Sequence, residues 1–333
     1  MTASEGIEDS IQRFCAIIAV FTNLFLFHLI INKSPSHFGA YKYLMIYTSV
    51  FEIIYAIVDV LLTPKLFTSG SAYIIIMDAE KTVLPAKLLP YVTLIYCTAF
   101  GMALAVFGVH FIFRYLVVTG NTSWTEKKAS KLFIWILVPL LSGLLYAAKC
   151  LVFWSPNPKM NSLIKNDFSH YFQLNIQQDY YVGFYFYPTD SNGQKVVNWW
   201  SLIGTFLISL IPVISLSVMF FFAIKCYIAI GKLTSARSRQ TQLFYALVAQ
   251  TFIPLAQMHL PASLIFLFCL FDSSFPILGR MLSITIAKYP AIDPLPNMII
   301  IADYRKAIIG YFGKNNNNQV SQMPTVSHSN ARV

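Results

Sequence analysis

Four side chains that ordinarily carry charge fall inside long apolar stretches of this sequence: Glu52, Asp59, Lys288 and Asp293. A charge placed in hydrocarbon costs about 2.5–3.5 kcal/mol on insertion scales, so such groups are paired, neutralised or put to use. Glu52 and Asp59 are seven residues apart, hence on one helix face with Tyr55 between them. Counted from the cytoplasmic end of each run at about 1.5 Å per residue, Glu52 and Asp293 both lie about 14 Å deep. Asp59 and Lys288 come out at about 24 and about 21 Å. If the second and seventh runs are neighbours, Asp59 and Lys288 pair near the outer third. Glu52 and Asp293 are then two acids at one depth, which cannot both ionise without a cation or a shared proton. A sodium or proton site is the chemistry expected there; the competing reading is a Glu52 that is simply protonated or faces a polar crevice.

His259 falls at about 24 Å by the same count. With Asp59 and Lys288 it would make a polar floor beneath an aromatic cavity suited to a small, volatile or lipophilic molecule. In the other reading His259 bonds a backbone carbonyl freed by Pro254 or Pro261 and meets no ligand. Arg114 stands about four residues from the cytoplasmic end of a long run, with His110 one turn above it in a structural role. A basic residue at such a place can lift its head to the phosphates and do nothing more. Gly101, Ala105 and Gly108 give the same run small faces for close packing.

These residues must be positioned by membrane-spanning helices. Hydrophobic residues make up 56% of the chain and charged residues 11%, where a soluble domain has roughly a quarter charged. Seven runs reach the length of about twenty residues that spanning requires: 14–31, 43–62, 88–118, 132–151, 199–224, 243–271 and 281–302. Helices are required because lipid offers unpaired backbone groups no partner. The expectation is an all-α, seven-transmembrane helix bundle. Its domains are a short extracellular N-terminus (1–13), the bundle (14–302), an interfacial amphipathic helix (303–313) and a disordered cytoplasmic tail (314–333). In the interfacial helix Asp303 caps the start, Ile308, Ile309, Tyr311 and Phe312 face lipid, and Arg305 and Lys306 face water. The acidic first ten residues lack the features of a cleaved signal peptide.

Orientation follows from basic residues in the loops. With the N-terminus outside, the cytoplasmic segments collect Lys127, Lys128, Lys131, Lys225, Lys232, Arg237, Arg239, Arg305 and Lys306 against only Glu126 and Asp303. The formal net charge of +10 is thus a topology signal, and a nucleic-acid partner is unnecessary. Five cysteines lie within or at the edges of spans and frame no disulfide pattern. Sequons at Asn32 and Asn121 fall on the cytoplasmic side and should be unused. The outer segment 155–198 carries "QQDYYVGFYFYPTDSNG", which reads equally as a capping hairpin or as a loose loop. The tail hydroxyls Ser321, Thr325, Ser327 and Ser329 could accept phosphate.

No HExxH, GxSxG, Walker loop or GxGxxG stands in a plausible context, so enzymatic activity is not expected. No cofactor is called for beyond the possible sodium ion. A channel or transporter remains the rival class, supported by the intramembrane charges. The odd span count and the lack of an internal repeat speak against it.

The segments "SPSHFGAYKYLMIYTSVFEIIYAIVDVLLTP" (34–64), "GVHFIFRYLVV" (108–118), "RQTQLFYALVAQTFIPLAQMHLPAS" (239–263) and "YPAIDPLPNMIIIADYRKAI" (289–308) carry a resemblance spread over nearly the whole chain. The sequence resembles the nematode Str chemoreceptors, of the serpentine receptor class r group. The resemblance implies a G-protein-coupled odorant receptor in the ciliary membrane of chemosensory neurons. Its partners would be a small odorant, a heterotrimeric G protein and membrane lipids. It also implies that Arg114 and Tyr115, with Lys127, Lys128, Arg237 and Arg239 around them, form the cytoplasmic coupling surface. Three departures from rhodopsin-like receptors stand out. Phe113, not an acid, precedes Arg114; Asn297 stands where a tyrosine would follow Pro294; and no cysteine marks the outer end of the third span.

Overall fold

The computed structural model describes residues 3–164, 179–190, 193–234 and 237–313. The tail hydroxyls and the Phe312 side chain lie outside the described residues. Long apolar runs become long helices, since only internal hydrogen bonds satisfy the backbone in lipid. The first four spans are α1 (Ala3–Lys33), α2 (Tyr41–Leu62), α3 (Leu89–Val118) and, after the single turn α4 (Thr122–Thr125), α5 (Ala129–Phe153). A short helix α6 (Pro158–Leu163) precedes the fifth span, α7 (Trp199–Gly231). The sixth span is α8 (Arg237–Pro254), a π-turn (Leu255–His259) and α9 (Leu260–Leu270). The seventh is split into α10 (Pro276–Ile292) and α11 (Leu295–Ile300), and α12 (Ala302–Gly313) follows. Among the described residues six helices are long and apolar enough to cross a membrane. The seventh span meets that length only across its break at Asp293–Pro294, where proline cannot supply the N–H that would continue the helix.

The helix α3 is the pillar of the bundle: 72% of its most apolar stretch is buried in the protein, against 17% for α7. Its contact with α5 is a backbone-to-backbone approach. A Cβ added at Gly101 would sit 2.4 Å from the Cβ of Tyr146, and one at Gly143 would sit 2.4 Å from the Thr98 carbonyl oxygen. At Gly108 the nearest atom would be 3.8 Å away, ordinary contact. The tight part of the small face is therefore Gly101 against Gly143 of the neighbouring span. All five cysteines are free and buried.

The outer end departs from an all-helical expectation. A three-stranded antiparallel sheet runs in the order β1 (Lys65–Ser69), β2 (Ala72–Met77), β3 (Tyr180–Tyr185). The first two strands form a hairpin over Gly70-Ser71, with Gly70 at φ +52°. The aromatic alternation of the long outer segment is indeed a strand, which pairs with β2, and the turn-rich end beyond it is closed by a single antiparallel bridge between Thr189 and Lys195. Strand alternation gives the sheet two apolar faces. Leu66, Tyr73, Ile75, Val182 and Phe184 pack down onto the bundle. Phe67, Ile74, Ile76 and Tyr181 face outward and are covered by Met160 and Leu163 of α6. The sheet is fastened to the helices: a Cβ at Gly279 would meet the Leu66 carbonyl oxygen at 2.4 Å, and the Gly70 amide donates to Ser274 Oγ at 2.9 Å.

In α12, Arg305, Lys306, Ile309 and Tyr311 are exposed, whereas Ile308 is half-buried against the bundle core. Tyr304 points wholly inward and its hydroxyl lies 2.7 Å from Ser34 Oγ. The helix is therefore docked on α1 as well as amphipathic.

Placing a branched side chain at Gly143 forces α3 and α5 apart. A Gly143→Leu variant should reach the cell surface in much lower amount than Gly231→Leu, whose added Cβ would meet nothing within 4 Å. Surface labelling of the two side by side checks this.

Candidate functional site

At the cytoplasmic end Arg114 does not snorkel. It is 2% exposed. Its guanidinium donates to the Gln240 side-chain oxygen and, at 3.3 Å, to the Gln240 carbonyl. It also lies 5.1 Å from the centre of the Tyr41 ring, a cation–π contact. Tyr41 is held in turn by His110: its hydroxyl is 3.1 Å from Nδ1, and Nε2 is 3.0 Å from Thr48 Oγ1. A polar chain therefore links α2, α3 and α8 through Thr48, His110, Tyr41, Arg114 and Gln240. Around this buried arginine the other basic residues are exposed. Lys127, Lys128, Arg237 and Arg239 face outward, and Tyr115 packs on Phe222 of α7 at 5.7 Å between ring centres. Lys128 and Lys131 reach Glu126 at 3.0 and 3.6 Å and hold its carboxyl below the usual carboxylate range.

Midway through the bundle Glu52 and Asp293 do come together. Both are buried, and their side chains are neighbours. Gln250 donates to Asp293 Oδ2 at 2.8 Å and to the Asp293 carbonyl at 3.1 Å, at the break between α10 and α11. Asn23 of α1 lies beside Glu52 and donates to the carbonyls of Ala19 and Pro290 at 3.0 and 2.9 Å. Among the described residues, Glu52 Oε1, Asp293 Oδ1 and Asn23 Oδ1 are buried here without a partner, as is the hydroxyl of Tyr289 beside both acids. Oxygen donors of this kind suit a hard cation, and two neighbouring carboxyls suit a shared proton.

The expected pair of Asp59 with Lys288 is not formed. Lys288 is exposed on the outer face of α10. Asp59 is buried, and among the described residues it forms no ion pair, although Lys65, the first residue of β1, is the nearby cation. Lys65 is itself buried and pairs with Asp9 and, at 3.4 Å, with Glu8 of α1. Depth alone cannot tell neighbours apart. Lys288 and Asp293 are five residues apart and hence about 140° apart around a helix, so an inward Asp293 turns Lys288 outward.

His259 is in a cavity, but without Asp59 or Lys288. The space is about 170 Å³, between α3, α5, α7 and the sixth span. Its lining includes Phe100, Tyr146, Ile208, Pro212, Leu255, Ala262 and Phe266. A smaller recess continues from it beneath the sheet, between Tyr73, Tyr96, Cys97 and Trp154. His259 ends the π-turn, and its ring centre lies 4.8 Å from that of Phe100. Its Nε2 is buried without a hydrogen-bond partner. Among the described residues no bond joins His259 to a carbonyl freed by Pro254 or Pro261, so the backbone-capping reading falls.

The bundle, with its split seventh span and docked terminal helix, is that of a G-protein-coupled receptor. The crystal structure of squid rhodopsin has the same fold: TM-score 0.65 at 14% identity, covering 95% of this chain and 88% of that one. A profile of the serpentine type 7TM GPCR chemoreceptor Str family matches residues 8–309, and the chain belongs to that family. It is similar to the G-protein coupled receptor str-217 of Caenorhabditis elegans, 31% identical over 91% of this chain and 89% of the relative. It is also similar to serpentine receptor class r-10 of Caenorhabditis briggsae, 25% identical over 92% of this chain and 91% of that protein.

Removing one partner from a buried ionic cluster strands the others, at about 3–5 kcal/mol. Lys65→Met should therefore lower the thermal midpoint of the purified receptor by many degrees, and Lys288→Met should barely move it. Equal effects of the two would restore the discarded pair.

Proposed function

We propose that this receptor detects a small, mainly apolar molecule carrying one hydrogen-bonding group, and signals it to a heterotrimeric G protein. The observation that carries the ligand half is the His259 cavity. A dry protein cavity of about 150 Å³ accommodates benzene, so the space here suits a ligand of comparable bulk. The unpartnered imidazole nitrogen offers the polar contact, and a neutral imidazole can donate from one nitrogen and accept at the other. A volatile odorant answers that description. The family resemblance extends the reading to the plasma membrane of sensory cilia, a location that expression of a tagged receptor in chemosensory neurons tests.

On the cytoplasmic side Arg114 is the residue that meets the G protein, assisted by Tyr115, Lys127, Lys128, Arg237 and Arg239. The basic side chains also hold anionic lipid. In the arrangement described above Arg114 is occupied by Gln240 and Tyr41, which makes that arrangement a resting one. Coupling then requires the sixth span to give up the Gln240 contact. Between the two ends, Glu52 and Asp293 form a proton site, with sodium as the other occupant their oxygens would accept.

Three measurements bear on this. A panel of small, singly polar volatiles should be read with a G-protein reporter. His259→Ala should lower the potency of an active compound about tenfold, the loss of one buried hydrogen bond of about 1.4 kcal/mol, at normal surface expression. An unchanged potency would remove the cavity from ligand binding. Arg114→Ala should abolish the response, whereas Gln240→Ala should raise signalling without ligand; a silent Gln240→Ala would mean that the contact does not restrain the resting state. Glu52→Gln should remove whatever dependence on pH or sodium the native receptor has, and persistence of that dependence in the variant would exclude the acid pair as its source.

A further inference from the structure

Among the described residues, the His259 cavity is roofed on its outer side and lined on one flank by side chains exposed towards lipid. Above it stand two layers. The inner face of the sheet puts Tyr73 and Ile75 over the recess that continues the cavity. Helix α6 then covers the outer face of the same sheet. Every residue of β2 is buried, and loop contacts fasten the roof at its rim. Tyr187 donates to the Leu270 carbonyl at 2.9 Å, and Lys195 pairs with Asp272. A molecule arriving from the water would have to part the sheet from the helices.

The opposite holds on the flank between the fifth and sixth spans. The cavity lining there includes Val213 and Leu216 of α7, Leu255 of the π-turn and Leu260 of α9. Val213 is 53% and Leu260 55% exposed on the surface that faces hydrocarbon. Both helices are irregular at this level. Pro212 interrupts the hydrogen bonding of α7, and the π-turn widens the sixth span over Leu255–His259. Two regular helices would close ridge into groove; these two leave a gap that side chains on both lips line.

We propose that the ligand reaches His259 from within the bilayer, through the gap framed by Val213, Leu216, Leu255 and Leu260. The inference rests on the His259 cavity being the ligand site, and it narrows the ligand class: the molecule must partition into hydrocarbon before it binds. The membrane then acts as a first filter. A strongly polar compound of the same volume is rejected before it meets the receptor, while an apolar one is concentrated at the gap. An acyl chain is the natural occupant of the gap while ligand is absent.

The route can be tested without knowing the ligand. Ala262 is buried and lines both the cavity and its recess, so Ala262→Cys places a thiol inside. The full-length variant in lipid nanodiscs is exposed to methyl methanethiosulfonate, which is small and neutral, or to its trimethylammonium-ethyl analogue, which stays in water. Modification of the residue 262 peptide is followed by mass spectrometry. The neutral reagent should modify the thiol and the charged one should not. Adding Val213→Trp and Leu260→Trp should slow the neutral reagent about tenfold. Adding Ile203→Trp, also on the lipid face of α7, should leave the rate unchanged. Comparable modification by the charged reagent would establish an aqueous path and overturn the proposal while leaving the cavity intact. Failure of the tryptophans to slow the neutral reagent would do the same. Protection from both reagents would overturn the cavity reading together with the route. Normal potency in His259→Ala, with the labelling pattern as expected, would leave the route standing for the probe and remove the cavity as the ligand site.

Discussion

Hydrocarbon offers no hydrogen bonds, and the arrangement of polar groups in this receptor follows from that one constraint. Three of the buried ionisable groups are each answered from a different helix or strand, whereas among the described residues His259 Nε2 has no hydrogen-bond partner. Arg114 of α3 is met by Gln240 of α8 and by the ring of Tyr41 of α2. Asp293, at the break in the seventh span, is met by Gln250 of the sixth. Lys65 at the start of β1 draws in Asp9 and Glu8 of α1. Apolar contacts between helices are nearly indifferent to rotation when lipid tails are as apolar as leucine. These polar contacts are not indifferent, so they fix which face of each helix points inward.

The same constraint explains what could be read in advance and what could not. Apolar length sets the spans, so the seven runs correspond closely to the helices, and the resemblance segments lie inside the matched region. Height along a helix is also legible, and it brought Glu52 and Asp293 to one level. Rotation is not legible from height, which is why Lys288 was matched to Asp59 while the buried lysine of that level, Lys65, sat just past the end of α2 and pairs with Asp9 and Glu8. The helical phase of Lys288 relative to Asp293 carried that information unused. Neutral amides were overlooked for a similar reason. Asn23, Gln240 and Gln250 have no charge to flag them, yet in lipid an amide is as much in need of a partner as an acid is of neutralisation. The sheet left one usable trace, the Gly70-Ser71 pair between two apolar runs, a two-residue hairpin signal. Its pairing with a strand more than a hundred residues later has no local signature at all.

The outer sheet also gives meaning to the acidic N-terminus. Glu8 and Asp9 are buried beneath the start of β1, and Gln12 reaches the Pro64 carbonyl at 3.5 Å. The first turns of α1 are therefore a strut for the roof and extend well beyond the apolar run that begins at Phe14. A roof held by an ionic cluster on one side and by close backbone contact with α10 on the other is stiff.

The sixth span carries three of the polar residues described above, and under the proposed function a signal would have to change their contacts. His259 faces the cavity, Gln250 holds the break in the seventh span, and Gln240 holds Arg114. They are strung over about 28 Å of one span, with Pro254 and the π-turn separating His259 from the other two. A π-turn already lacks the regular ladder that resists bending, so a ligand in the proposed His259 site would press on a joint. Motion at that joint is delivered to the cytoplasmic end by the regular helix α8, where Gln240 is among its first residues. Small displacements become discrete at that end because the hydrogen bond to Arg114 is either made or lost. If the ligand binds at His259 as proposed, the inner contact would set the threshold of the receptor, and the π-turn would set how much of the ligand's binding energy reaches it.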